Sequence, residues 1–231
     1  MQTDISQRYI RNTGVLTPDE IRLLGTKSIC VAGCGGLGGH IIQNLSRIGV
    51  GQMTVIDGGY FDETNLNRQV FCTEHNIGKC KASETEAAVL KINSESIINA
   101  IPVRITPNNA AELISGHNIV IDAVDNISTR LILEDACAQC NIPLVHGAVC
   151  DWYGQAAVSM PGSRLLHTLY DSASDTADTF FETNVSFTPA IIAGIQSSEA
   201  VKLMTGKSTP LANRVLFADL LNCTFEIMNI L

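Results

Sequence analysis

The sequence predicts an α/β protein: a mostly parallel sheet with helices on both faces and an antiparallel extension at the carboxyl end. Three stretches predict it. The apolar run SICVA at Ser28–Ala32 is closed by Gly33, Gly35, Gly36 and Gly38, after which Ile41, Ile42, Leu45 and Ile48 recur at helical spacing. A second apolar run, residues 53–56, ends in Asp57. A third, residues 118–123, runs into Val124, Asp125 and Asn126. Strand, glycine turn, helix and strand in that order form the repeating unit of a parallel sheet.

The first unit carries chemical information as well. Glycine lets a turn take positive φ and approach a phosphate closely, and the free N–H groups of the following helix start favour an anion. Asp57 falls about 20 residues beyond the last turn glycine, where a carboxylate accepts hydrogen bonds from ribose hydroxyls. NAD and ATP both satisfy this pattern, and a glycine turn also serves simply to pack a helix on a strand. The loop after the second strand narrows the choice. Asp62, Glu63, Asn65, Asn67, Arg68 and Gln69 crowd a short connection that needs few of them, and Arg68 suits a triphosphate better than a dinucleotide.

The remaining elements follow in order. Residues 16–24 carry helix-start signals, with Thr17 and Pro18 leading and Asp19 and Glu20 in the first turn. Ala82, Ala87, Val89, Leu90 and Ile92 mark a helix after Gly78, Lys79, Cys80 and Lys81. Residues 97–103 read as a strand, 109–114 as a short helix, and 131–140 as a longer apolar helix that Asp125 or Asn126 can cap. Strands are expected at 142–146 and 155–160, little periodicity is visible over 161–187, and 188–205 is a long apolar helix with Pro189 in its first turn and Gly206 at its end. Two closing runs, 215–218 and 223–228, read as an antiparallel pair.

A length of 231 residues suits one α/β domain, and 45% hydrophobic content with a net charge of −8 argues against a nucleic-acid binder that relies on a basic face. No apolar run is long enough for a membrane span, and the amino terminus lacks an apolar signal core, so a cytoplasmic location is expected. The eight cysteines, at 30, 34, 72, 80, 137, 140, 150 and 223, are scattered over strand and helix positions and read as reduced thiols. Cys137 and Cys140 form a single CxxC within the 131–140 helix, with no second pair to complete a zinc site. His146 and His167, each without a paired nucleophile, read as packing or surface groups.

GCGGLG, VIDGGYFDETNLNRQ, GKCKASE and VIDAVDN, in this order, resemble the ATP-binding half of the ThiF/MoeB/HesA family, relatives of the ubiquitin-activating enzymes. The similarity runs from RYIRN at 8–12 to TPAIIAGIQSSEAVKLMTG at 188–206. It implies a Rossmann-like fold and a single adenylation domain over 1–231: an amino-terminal helical segment at 1–26, an ATP-binding core at 27–160, a crossover loop at 161–187, and a helix with antiparallel strands at 188–231. Many members carry a structural zinc on two CxxC pairs. The corresponding segments here read PGSRLLHTLYD and CTFEIMNIL, so no structural zinc is expected. No cysteine lies between Cys150 and Cys223, so the transfer cysteine that several members carry in the crossover is missing.

The resemblance also assigns roles. It implies ATP and Mg2+ as cofactors and activation of the carboxyl-terminal glycine of a small ubiquitin-like sulfur carrier ending in Gly-Gly, as acyl-adenylate with release of pyrophosphate. Gly33, Gly35, Gly36 and Gly38 shape the phosphate turn, Asp57 holds ribose, and Asn65, Gln69 and Asn126 join the nucleotide site. Arg68 and Lys81, the latter rather than Lys79, neutralise phosphate charge; Asp125 holds magnesium, with Asp122 as support and Arg130 structural. Arg11, rather than Arg8, matches the arginine that crosses a homodimer to the neighbouring triphosphate. The antiparallel pair is expected to seat the carrier. Two other functions fit the same residues: adenylation of a carboxylate on modified tRNA or a peptide, or a non-catalytic NAD- or nucleotide-binding module.

Overall fold

The computed structural model describes residues 5–171 and 183–230. One sheet of eight strands runs through them in the order β3-β2-β1-β4-β5-β6-β7-β8. The first five in that order, β3 (Ile97–Ile101), β2 (Gln52–Ile56), β1 (Ser28–Ala32), β4 (Ile119–Asp122) and β5 (Leu144–Cys150), are parallel. The last three, β6 (Tyr153–Ser159), β7 (Arg214–Asp219) and β8 (Thr224–Asn229), continue it antiparallel. The fold is therefore the Rossmann-like α/β architecture with an antiparallel extension that the strand–turn–helix pattern predicts.

Both faces of the parallel half are covered, which is why its strands read as unbroken apolar runs rather than alternating ones. In β1, Ile29 and Val31 point to one face. There they meet α1 (Pro18–Leu24), α2 (Gly36–Ile48), α3 (Lys81–Ile92) and α7 (Phe187–Thr205) in one buried cluster. Cys30 and Ala32 point to the other face, towards α4 (Ala110–Ile114), α5 (Ile127–Cys140) and α6 (Leu165–Leu169). Cys137 is part of that second core and Cys140 packs against it, so both cysteines of the lone CxxC are packing residues. No helix among the described residues is long and apolar enough to cross a membrane.

Local chemistry sets the element ends. Thr17 caps α1 with a reciprocal capping box to Glu20, as the Thr-Pro-Asp-Glu run predicts. β3 stops at Ile101 because Pro102 cannot donate to the ladder, shortening the strand expected over 97–103. β5 and β6 run past the expected 142–146 and 155–160 into a tight hairpin whose turn holds Asp151 at φ 52°. α6 is a five-residue helix that the sequence pattern did not reveal. The crossover stretch expected at 161–187 lies partly outside the described residues.

The β1–α2 turn is the tightest point of the fold. Gly33 has φ +99°, and a Cβ on Gly38 would lie 1.9 Å from the Gly33 carbonyl oxygen. Gly38→Ala is expected to destabilise the protein by about 2–3 kcal/mol through forced displacement of this turn. Gly194→Ala, in α7 with nothing within 4 Å of the new methyl, is expected to stabilise by about 0.5–1 kcal/mol. Urea denaturation of the two variants measures both signs.

Candidate functional site

The chain proceeds from β1 outward through β2 to β3, then returns to place β4 on the other side of β1. In such sheets the crevice opens at the carboxyl ends of the strands flanking this reversal. A cavity of about 830 Å³ lies there. The ends of β1, β2, β3 and β4 contribute Gly33 with Gly35 and Gly36, Asp57, Val103 to Ile105, and Val124 to Asn126 respectively.

Asp57 is held from both sides, its Oδ2 accepting the Cys34 N–H at 2.8 Å and its Oδ1 the Gly59 N–H at 2.7 Å. The carboxylate therefore fixes the glycine turn while its outer lone pairs face the cavity. The cations come from two connections. Lys81 opens α3; its backbone N–H donates to the Gly59 carbonyl at 3.0 Å, and its side chain passes 3.7 Å from the position of a Gly59 Cβ on its way along the cavity wall. Lys79 instead pairs with Glu84 at 3.9 Å and lines a separate, smaller groove. Arg68 lies along Gly36, its Nη1 donating to the Thr64 carbonyl at 3.1 Å and to Asn67 Oδ1 at 2.8 Å. No ion pair engages Arg68 or Lys81 among the described residues, so both charges remain available to an anion.

Gln69 reaches the cavity with only 6% of its surface exposed, and its Oε1 has no hydrogen-bond partner among the described residues. A buried amide end left unpaired beside a glycine turn is a vacant contact for a polar ligand. Asp125 and Asn126 line the opposite wall. Asn126 caps α5, its Oδ1 accepting from Thr129 N–H and the Ser128 hydroxyl at 2.9 Å each, and its Nδ2 donates to Asp125 Oδ1 at 3.2 Å. The capping reading and the cavity-facing reading of this pair are both satisfied.

Three expected site residues are placed elsewhere. Gly38 does not line the cavity; it is buried in the first turns of α2 against Gly33. Asn65 does not line it either. Its side chain closes the 3-10 turn Glu63–Asn65, accepting from the Asp62 N–H at 3.3 Å, while its carbonyl accepts the Arg68 and Gln69 N–H groups at 3.2 and 2.9 Å. Asn65 thus shapes the loop that presents Arg68 and Gln69, its short amide engaged by the turn. Arg11 lies in the 3-10 segment Gln7–Asn12, which packs Tyr9 on Gly49 and brings Asn12 Nδ2 to the Ile48 carbonyl at the carboxyl end of α2. The cavity is at the amino end of that helix, and 13 residues separate the two ends by about 20 Å. Arg11 cannot reach the cavity of its own chain.

Sequence reading missed two groups. Val103, Arg104 and Ile105 form the β3 end of the cavity; only their place after a parallel strand could have revealed them. A buried polar cluster of Asp122, His146, Arg130 and Tyr170 lies next to the Val124–Asn126 wall. Burial lowers the His146 pKa, against the opposing pull of Asp122, so the packing reading of this histidine becomes a neutral ring engaged in hydrogen bonds. His167 pairs with Asp135 at 2.8 Å near the surface.

An open α/β sheet with a polar cavity at its switch point and a glycine turn at its mouth places the protein among the doubly wound ligand-binding folds. The ThiF family model matches residues 8–230, and the chain belongs to the ThiF family. It is 34% identical over 228 residues to the SAMP-activating enzyme E1 of Haloferax volcanii, covering 97% of this chain and 84% of that protein. It is 30% identical over 222 residues to the sulfur carrier protein adenylyltransferase of Thermus thermophilus, covering 92% and 82%. Against the adenylyltransferase and sulfurtransferase MOCS3-1 of Zea mays the identity is 32% over 238 residues, and the chain spans about half, 50%, of that protein's length. A crystal structure of E. coli MccB with ATP superposes with a TM-score of 0.82 at 21% identity, covering 98% of this chain and 72% of that one. At that identity the likeness is one of fold.

Proposed function

We propose that the protein is an ATP-dependent adenylyltransferase that activates the carboxyl-terminal glycine of a small ubiquitin-like carrier, residues 1–231 acting as one adenylation unit. The observation that carries this reading is the composition of a single cavity rim: a glycine turn, the braced carboxylate of Asp57, the free cations of Arg68 and Lys81, the unpaired amide of Gln69, and Asp125 opposite them. The relatives named as an activating E1 and as a sulfur carrier protein adenylyltransferase support the same chemistry and the carrier class.

In this reading Asp57 holds the ribose, the N–H groups of the turn with Arg68 hold the phosphates, and the Gln69 amide oxygen accepts a hydrogen bond from a donor group of the nucleotide. A carboxylate oxygen of the carrier attacks the α-phosphorus, the bond from that phosphorus to the bridging oxygen breaks, and pyrophosphate leaves with its electron pair. No proton transfer and no protein nucleophile are needed. Catalysis is positioning and neutralisation of charge on the α-phosphate, which Lys81 and Arg68 perform. The residues fit magnesium in a limited way. Among the described residues no group of three or more His, Cys, Asp or Glu could hold a metal alone, so Asp125 would supply one hard oxygen while phosphates and water complete the shell, the usual arrangement for Mg2+ on a nucleotide. Held by Asp125, such an ion would supply positive charge that offsets the charge of the phosphates.

The remoteness of Arg11 makes the site incomplete in one chain, and a homodimer supplies the missing cation. The carrier body lies on the β7–β8 end of the sheet, where Phe225 and Ile227 share one exposed face of the last strand. Pyrophosphate exchange with Mg-ATP, run with and without ubiquitin-like proteins ending in Gly-Gly, tests the reading. Exchange that depends on one carrier is expected. Exchange with none of them despite ATP binding transfers the activity to another carboxylate, and tight NAD binding without ATP binding overturns it altogether.

A further inference from the structure

The cluster beside the cavity wall has a geometry that core filling does not require. β4 and β5 pair in register with Asp122 opposite His146. Both side chains are fully buried, and Nδ1 of His146 lies 2.6 Å from Oδ2 of Asp122. On its other side, Nε2 of His146 lies 3.1 Å from the Tyr170 hydroxyl. That hydroxyl accepts from Nη1 of Arg130 at 3.2 Å and also from Gln155 Nε2. The ring closes where Nε of Arg130 lies 3.7 Å from Oδ2 of Asp122.

The directions of these bonds are fixed by charge state. Burial keeps His146 neutral, so with its Nδ1–H given to Asp122, its Nε2 is an acceptor. Burial pushes the Tyr170 phenol up to about 12, so it keeps the proton that Nε2 receives. The donors therefore run from Arg130 to Tyr170 to His146 to Asp122, with no two donors facing one another.

What this ring holds is one peptide unit on each side of Val124. Oδ1 of Asp122 accepts the Val124 N–H at 3.0 Å, and Nη2 of Arg130 donates to the Val124 carbonyl at 2.9 Å. Asp122 is itself anchored from α7, its backbone carbonyl accepting from Gln196 Nε2 at 2.8 Å. The residue after Val124 is Asp125, whose side chain stands exposed with the Asn126 amide as its one hydrogen-bond partner among the described residues. The aim of that carboxylate is set by its backbone, and its backbone is set by the clamp.

We propose that Arg130 and Tyr170 are positioning residues for Asp125: they clamp the Val124 peptide so that the following carboxylate is held at the place a nucleotide-bound divalent cation needs. This rests on the Mg-ATP reading above. Residues that orient a metal's own ligand typically change metal affinity without touching the metal. Lysine at 130 keeps the charge but lacks the fork needed to reach the Val124 carbonyl and Tyr170 together. Phenylalanine at 170 keeps the ring, which packs edge-on to His146 at 5.9 Å between centroids, and removes only the hydroxyl.

Two measurements on Arg130→Lys and Tyr170→Phe test it. The first is amide hydrogen exchange of metal-free, nucleotide-free protein. The second is a Mg2+ titration of ATP binding. The expected result is about 10-fold faster exchange at residues 124–126, with β1 and β5 unchanged, and about a 10-fold higher Mg2+ midpoint, with metal-free ATP binding unchanged in Tyr170→Phe, whose side chain, unlike that of Arg130, does not line the cavity. Wild-type exchange rates and an unshifted midpoint overturn the proposal, as does uniform acceleration through β4 and β5, which is the signature of plain core packing. A wild-type protein that binds no Mg-ATP removes the functional reading instead, and the exchange measurement still judges the clamp.

Discussion

Asp125→Ala is expected to lower carrier-dependent pyrophosphate exchange by about 10³-fold, and Lys81→Ala by about 10²–10³-fold, the cost of removing a preorganised charge at a developing anion. Neither variant is expected to lower stability by more than about 0.5 kcal/mol, because neither side chain supports the fold. Asp125 is exposed and among the described residues accepts one hydrogen bond, at 3.2 Å, from an asparagine already employed as a helix cap. Lys81 has no ion pair among the described residues, and its ammonium stands 6.0 Å from the Phe61 ring centre, a contact of small worth at an accessible site. Asp57 is the instructive contrast. Its carboxylate holds the Cys34 and Gly59 amides, so Asp57→Ala is expected to remove the proposed ribose contact and the brace of the turn together. Exchange kinetics and thermal melts on the three variants separate chemistry from architecture. Full exchange in Asp125→Ala or Lys81→Ala sinks the adenylation assignment.

How legible each residue was in the sequence depends on how far its partners lie along the chain. The glycine turn, Asp57 and Asp125 follow directly after apolar strands, and the ends of parallel strands converge whatever the rest of the molecule does. Their meeting in one cavity was therefore readable without knowing any long-range contact. Asn65 shows the opposite case. Its residue type fits a phosphate contact, but the three-residue turn Glu63–Asn65 consumes its side chain, and a competition between local backbone and ligand is not visible in composition. The Asp122–His146–Arg130–Tyr170 ring was hidden for another reason. Its members lie up to 48 residues apart, counting from 122 to 170, and meet only through the β4–β5 register and the docking of α6. A histidine in an apolar strand signals nothing until its cross-strand neighbour is known. Pro102 acted at the smaller scale, ending β3 two residues before the apolar pattern does.

Mixing Arg11→Ala with Asp125→Ala, each nearly inactive alone, is expected to restore about a quarter of wild-type exchange in an equimolar sample, the share set by two-fold symmetric pairing. Random reassortment makes about half of the dimers mixed, and each mixed dimer contains one site with both Asp125 and the partner's arginine. A distance internal to the chain sets this requirement. Tyr9 and Asn12 tie the 3-10 segment to the carboxyl end of α2, whereas the glycine turn is at its amino end, and a helix of 13 residues is rigid over its length of about 20 Å. An arginine side chain cannot cross that gap, so Arg11 either serves another chain or serves no site. A guanidinium offered by a second copy would supply permanent charge and a fork matched to phosphate oxygens. Arg11→Lys keeps the charge without the fork and is expected to retain an intermediate rate. Full exchange in Arg11→Ala, or a mixture no more active than its components after subunit exchange is verified, would refute the shared site and leave the phosphates to cations of a single chain, Arg68 and Lys81 among them.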